Sequence, residues 1–246
     1  MVQIASFAAL AAVASLFDVT SAVANMPSGN WPTALGTVKY SAAYVVKAGT
    51  VFDGQMKLYE RSNVPCAGQA EGGKDLAVFL VEPGATLKNV IIGKNQAEGW
   101  NDVCEDALTI KGGSASSVAK VIGGGARRAA DKIIQHNGGG TVSTEGFYAQ
   151  DFGKLYRSCG SCKTQVQRKV TLTNVYAVNP KVTLVSVNKN YNDQAKLTNV
   201  KVKSSKKAQE VCTWFTAVTK GEPTKLGNGP SPPLCQYSAS DVQVTA

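Results

Sequence analysis

From Asn25 onward the chain alternates short aliphatic and β-branched runs with Gly, Asn and Asp, and it contains no long stretch of helical apolar period. That punctuation predicts short strands joined by tight corners. Leu87-Lys-Asn-Val90, Leu172-Thr-Asn-Val175 and Leu197-Thr-Asn-Val200 are copies of one motif, and weaker copies begin at Val118 and Val142. The leading positions are separated by 31, 24, 30 and 25 residues. A period in the twenties with a short strand in each repeat marks a solenoid. With Val, Ile and Leu alternating inward, the expected fold is all-β: a single-stranded right-handed parallel β-helix in which each coil buries its apolar face on the next.

Two steps are irregular. The step of 30 holds the Cys159–Cys162 segment, a natural insertion. The step of 31 spans Gly99-Trp100-Asn101 and is too long for one coil and too short for two. Open solenoid ends expose unpaired strand edges. Residues 25–40, with Pro27, Trp31 and Pro32, are expected to cap the first end, and 206–246, with Trp214 and Phe215 packing down, the other. Asn89, Asn174 and Asn199 are expected to form a structural ladder in the turns. The glycine runs 123–125 and 138–140 lack the Lys-Ser/Thr of a phosphate loop and suit tight corners.

Ile4 to Phe17 is apolar but too short to span a bilayer, which needs about 20 residues. Ala22-Val23-Ala24 follows as a small-x-small cleavage signal, so residues 1–24 are expected to be a signal peptide and 25–246 a single exported domain. The formal charge of +9 becomes +10 when Asp18 leaves with the leader. Basic exported proteins seek nucleic acid, anionic lipid or acidic polysaccharide. No aromatic-and-Arg nucleic-acid motif and no basic amphipathic helix is present, which leaves the polysaccharide, with neither nucleic acid nor membrane as partner. The default oligomeric state is a monomer.

Six cysteines in an exported chain favour disulfides. Cys159-Gly-Ser-Cys162 has the spacing of half a zinc site, but a second pair is missing and the chain has one histidine. A bridge within that loop, or from each cysteine to a separate partner, is the better reading. Cys212 and Cys235 flank a Gly/Pro-rich stretch and are expected to pair around it.

Lys111, Asp131-Lys132 and Arg157 recur about one coil apart, with Glu105-Asp106 just upstream of the first. On successive coils they are expected to stack at roughly 4.8 Å spacing. Lys154 precedes Arg157 by three and is expected to line the same groove, with Asp131 either orienting Lys132 or adding to the acidic, substrate-binding side. Glu105 and Asp106 at a coil corner, helped by Glu98, make a reasonable oxygen shell for Ca2+, although an acidic pair by itself is more commonly a solvated turn. His136, in Gln-His-Asn-Gly, has no nucleophile in a triad-like context and is expected to be structural. A glycoside hydrolase is disfavoured, because no separate pair of acid and base carboxylates stands out.

The strings Phe52-Asp-Gly-Gln-Met56, Gly68-Gln-Ala-Glu-Gly72, Ala85-Thr-Leu-Lys-Asn-Val-Ile-Ile-Gly93, Asp102-Val-Cys-Glu-Asp-Ala-Leu-Thr109, Gln135-His-Asn-Gly138 and Phe152-Gly-Lys-Leu-Tyr-Arg-Ser-Cys159 follow in order. Together they resemble polysaccharide lyase family three, the small secreted pectate lyases of microbes and plant pathogens. The resemblance implies a parallel β-helix and Ca2+-dependent β-elimination on polygalacturonate, the de-esterified backbone of pectin. It implies Glu98, Glu105 and Asp106 as calcium ligands, Lys111, Lys132 and Arg157 as substrate and catalytic cations, and Glu71 as an assisting acid. Lys132 is the better base, since arginine stays protonated at any ordinary pH, and the mechanism implies an alkaline optimum. Relative to the family, about half a coil is absent after Gly99, which is expected to displace Glu98 from Glu105 and Asp106. That departure keeps a second reading open: a non-catalytic protein that binds pectin, or is recognised by a host, through the same basic groove.

Overall fold

A computed structural model describes residues 23–64, 78–92, 106–129, 131–206 and 208–246, with Asp106 and Ala107 described by their backbone alone. The strands are β1 (Thr37–Tyr40), β2 (Tyr44–Val46), β3 (Val51–Arg61), β4 (Phe79–Val81), β5 (Thr86–Ile92) and β6 (Asp106–Ile110). There follow β7 (Val118–Ile122), β8 (Gly125–Arg127), β9 (Lys132–His136), β10 (Gly140–Glu145), β11 (Tyr148–Ser158) and β12 (Arg168–Asn188). The last are β13 (Gln194–Lys203), β14 (Glu210–Thr216), β15 (Thr224–Asn228), β16 (Cys235–Gln236) and β17 (Val242–Thr245). No α-helix occurs among the described residues, and every strand pairing is parallel except β14 with β15. This is the parallel β-helix that the repeats predict.

The pairings form three ladders running up the solenoid. One links the starts of β3 and β5 through β7 and β10 to the starts of β12 and β13. The second links β1, the ends of β3 and β5, β8, the start of β11, the middle of β12, the end of β13 and β17. The third links β2, β4, β6, β9 and the ends of β11 and β12 to β14. That third ladder carries a groove lined by lysine and arginine side chains.

The motif leucines stack as expected, Leu172 on Leu197, but the weaker repeats are offset from their expected starts. Leu87 pairs with Val121, Val121 with Thr144, and Thr144 with Leu172, in place of Val118 and Val142. The irregular step is a single coil: β5 pairs directly with β7 and β8 while β4 pairs with β6, so the ladders close across residues 93–105. The consequence for Glu98 lies outside the described residues.

Between the first two ladders each coil turns through a left-handed residue, a conformation that costs most L-residues roughly 1–2 kcal/mol. Gly and Asn accept it most readily, and from β5 onward the corner is occupied by Asn89, Gly123, Gly146, Asn174 and Asn199, with φ between 51° and 65°, whereas in β3 Gln55 and Met56 take it at 52° and 55°. Asn199 Nδ2 donates to Asn174 Oδ1 at 2.6 Å, a true ladder step, whereas Asn89 Nδ2 turns to Asp53 Oδ1 at 3.1 Å because Gly123 above it has no side chain. Asn199→Ala forfeits both the hydrogen bond and the tolerance for positive φ. It is expected to lower stability by about 1–2 kcal/mol, read as a urea midpoint shift, with Asn199→Gly recovering part of it.

The N-terminal cap is divided. Residues 24–32 run along the outside of the middle coils, whereas residues 35–40 cover the first end, with β1 paired to the end of β3. Asn174 Nδ2 donates to Ala24 O at 2.7 Å, and Trp31 meets the Tyr148 ring edge-on at 5.9 Å with the Arg127 guanidinium 4.5 Å over its face. Beneath β1 the first coils are plugged by packed aromatics, Tyr40 of that strand with Tyr44, Phe52, Tyr59 and Phe79, with ring centroids 4.9–6.0 Å apart. At the far end, antiparallel β15 closes the third ladder and β16 and β17 close the others. The Cys159–Cys162 and Cys212–Cys235 bridges form as two of the sequence readings propose; Cys66 and Cys104 lie outside the described residues.

Candidate active site

In the third ladder, Ile134, His136, Tyr156 and Ser158 face the interior while Lys132, Gln135, Lys154 and Arg157 face out. The outward set follows from register. Lys132 pairs with Lys154 and Gln135 with Arg157, each one coil apart, and Asp106 pairs with Lys132 on the other side. Parallel strands bring such neighbours to roughly 4.8 Å between backbones.

Asp131, at the corner before β9, contacts Lys132 Nζ and accepts from Lys154 Nζ at 2.7 Å. Burial pushes its carboxyl upward, but the hydrogen bonds and charges of the two lysines outweigh burial and hold it below the usual carboxylate range. Asp131 therefore fixes two amines from consecutive coils at one point, the orienting role its position suggests.

Arg157 sits three residues along from Lys154, with its guanidinium 4.2 Å over the Phe215 ring. Burial lowers its proton affinity, and the charges of Asp131, Asp193 and Glu222 oppose that effect. Gly160 makes this arrangement possible, because a Cβ there would run into Pro223 and lie 2.5 Å from Arg157 Nη2.

Asp131, Lys132, Gln135, Lys154, Arg157 and Phe215, with the Cys159–Ser161 loop and Glu222-Pro223, enclose a groove of about 400 Å³. A cavity of similar size, about 380 Å³, lies between the N-terminal segment and the coil corner, but no charged side chain lines it. An anionic chain therefore belongs in the first.

Lys111 is not part of the groove. It is exposed and follows Ile110, which pairs with His136, so it stands some five residues, roughly 16 Å, along the ladder from Lys132. The expected stack of Lys111, Lys132 and Arg157 is replaced by Asp106, Lys132 and Lys154, with Arg157 offset along the strand. Equal spacing in sequence misled because loop lengths differ from coil to coil.

Glu71, Glu98 and Glu105 lie outside the described residues, and no cluster of three or more His, Cys, Asp or Glu occurs among those described. The backbone of Asp106 opens β6 in register with Lys132. Carboxylate oxygens are the hard donors that Ca2+ takes, so the residue types named from the sequence suit that ion.

Phe215, Gln135, Gly160 and Glu222 were not singled out from the sequence as groove residues. Phe215, expected to cap the end of the solenoid, instead supports Arg157. The only hint was the Gly/Pro-rich tail, which gives no indication of what it folds over.

Beneath the groove His136 is fully buried, with Nδ1 2.8 Å from Tyr156 Oη, in keeping with a structural role. Tyr156 Oη also lies 3.2 Å from Ser158 Oγ. Asp193 accepts from the backbone N–H groups of Arg168 and Asn188 at 2.8 and 2.9 Å, and Asn188 Nδ2 donates to Cys159 O at 2.8 Å. This buried network fixes the floor on which Arg157 and the disulfide loop rest.

A solenoid with a cation-lined groove across one ladder defines a class: β-helix proteins that hold an extended anionic chain across their coils. Residues 28–222 match the pectate lyase family model. The chain is 46% identical over 233 residues to a probable pectate lyase D of Neosartorya fischeri, the match covering 89% of this chain and 92% of the relative. It is 45% identical over 222 residues to pectate lyase E of Emericella nidulans, covering 84% of each. The catalytic domain of pectate lyase PelI from Erwinia chrysanthemi superposes with a TM-score of 0.66 at 25% identity, over 88% of this chain and all of that one. The same enzyme in complex with tetragalacturonic acid gives 0.64 at 26% identity, over 86% of this chain and 71% of that one. The chain belongs to the pectate lyase family, and its activity class is that of a carbon–oxygen lyase acting on polysaccharide.

Proposed function

We propose that this protein cleaves de-esterified polygalacturonate by Ca2+-dependent β-elimination, releasing 4,5-unsaturated oligogalacturonides outside the cell. The observation that carries this reading is the convergence of Lys132, Lys154 and Arg157 from two consecutive coils on one groove beside Asp131. Arg157 grips a galacturonate carboxylate with its planar fork. Lys132, held at the groove by Asp131, accepts the C5 proton as a neutral amine. The C5–H electron pair becomes the C4=C5 double bond, the C4–O bond breaks, and the leaving oxygen takes up a proton, for which Glu71 is the candidate acid. Glu98, Glu105 and Asp106 are the residues that would hold Ca2+, which when bound supplies Lewis-acid neutralisation of the substrate carboxylate and acidifies C5–H.

A base placed beside a carboxylate-gripping arginine favours catalysis over mere pectin binding, which needs only the cations. Two disulfides among the described residues accord with export. No helix among the described residues is long and apolar enough to cross a membrane.

The test is absorbance near 232 nm, where the unsaturated uronide absorbs, with polygalacturonate at alkaline pH. A rise with Ca2+ that excess chelator abolishes is expected. Folded protein that gives no rise would reduce the groove to a binding surface.

A further inference from the structure

One wall of this polyanion groove carries a carboxylate that the reaction does not use. Glu222 lies on the loop 217–223 that joins β14 to β15 and folds back over the groove. The loop is pinned in place. Val218 N donates to Gly160 O at 2.8 Å, Gln165 Nε2 donates to Val218 O at 3.2 Å, and Asn190 makes two hydrogen bonds of 2.9 Å with Ala217. Pro223 closes against Gly160 beside Arg157.

The two groove carboxylates differ in their surroundings. Asp131 is neutralised by Lys132 and Lys154. Glu222 has no hydrogen-bond or ion-pair partner among the described residues, although its charge is felt at Arg157. An exposed carboxylate that is offset only at a distance by Arg157, and held by no hydrogen bond among the described residues, on the wall of an anion-binding groove opposes a ligand carboxylate that passes it.

We propose that Glu222 is a specificity-determining residue. It disfavours a free galacturonate carboxylate at the position where the chain passes the 217–223 loop, and it admits a methyl-esterified, uncharged unit there. Lys132 and Arg157 still require a free carboxylate at the cleaved unit, so cleavage stays on de-esterified units while a methyl ester is accepted where the chain passes the loop. This inference rests on the groove being the polygalacturonate site.

The experiment is affinity electrophoresis, with chelator present to silence cleavage, through gels holding either polygalacturonate or highly methyl-esterified pectin. Parent, Glu222→Gln and Glu222→Lys proteins are compared. The ratio of polygalacturonate affinity to esterified-pectin affinity is expected to rise about threefold in Glu222→Gln, the size of one exposed charge–charge interaction, and further in Glu222→Lys. High salt should shrink the difference. An unchanged ratio, or weaker binding of both polymers in proportion, would overturn the proposal and make Glu222 an orienting partner of Arg157. A parent that binds but does not cleave in the separate 232 nm assay would overturn the reaction while leaving this comparison readable. A parent that binds neither polymer overturns both.

Discussion

Lys132→Ala lowers kcat on polygalacturonate by at least about 100-fold, the low end of what a positioned general base contributes. The loss is chemical because the site is built to survive it. Asp131 keeps its 2.7 Å contact with Lys154 when Lys132 is removed, so no carboxylate is left buried and unpaired. The decisive companion is Lys132→Arg, which keeps the positive charge but cannot act as a neutral base. If Lys132 takes the proton, both variants are inactive while Lys132→Arg still binds polygalacturonate in affinity electrophoresis. Retention of more than about a tenth of parent activity by Lys132→Arg would make Lys132 an electrostatic residue and move the base elsewhere. In the parent, a base that must be deprotonated predicts a rate that rises with pH through the alkaline range, as lysine amines lose their proton there. A rate falling above neutral pH would count against Lys132.

Acid is expected to weaken the fold through His136. Burial, reinforced by the charge of Arg168 and opposed only by the Gly139 backbone, lowers its pKa to about 4. In the unfolded chain a histidine titrates near 6.5. Between those values the unfolded state binds the proton and the folded state does not, so stability rises with pH across that window and is lost as pH falls. The size is about 3 kcal/mol between pH 7 and pH 4. Asp193, whose carboxyl is pushed up by burial, works in the opposite sense from the carboxylate range upward, so the net slope alone is ambiguous. The difference between parent and His136→Gln isolates the histidine, the only one in the chain. Urea midpoints should converge as pH falls from 7 to 4, because the variant lacks the titration. Parallel curves would mean that His136 binds its proton equally well folded and unfolded.

The repeats were readable because a coil must bury one apolar face per turn and favours Gly or Asn where φ turns positive. Both demands are local and leave their mark residue by residue, as Leu172, Leu197, Asn174 and Asn199 show. Lys132, Lys154 and Arg157 were legible for a related reason: they lie on strands of neighbouring coils, where sequence period approximates spatial stacking. Lys111 shows the limit of that approximation. Register counts paired strand residues, whereas sequence spacing also counts loops of unequal length, so an interval of 21 residues carried Lys111 about five positions off the stack.

What the sequence by itself determined is the solenoid, the anionic polymer it suits, and the strand-borne cations of the groove, because periodic burial and charge are written along the chain. Only the tertiary structure decided that Asp131 gathers two lysines, that the first part of the N-terminal segment runs along the middle coils before β1 caps the first end, and that Phe215 and Glu222 return from the far end to wall the groove. These contacts join residues up to 150 positions apart, as Asn174 and Ala24 are. No local pattern encodes them, because they depend on where each loop exits the solenoid and which surface it then finds to cover.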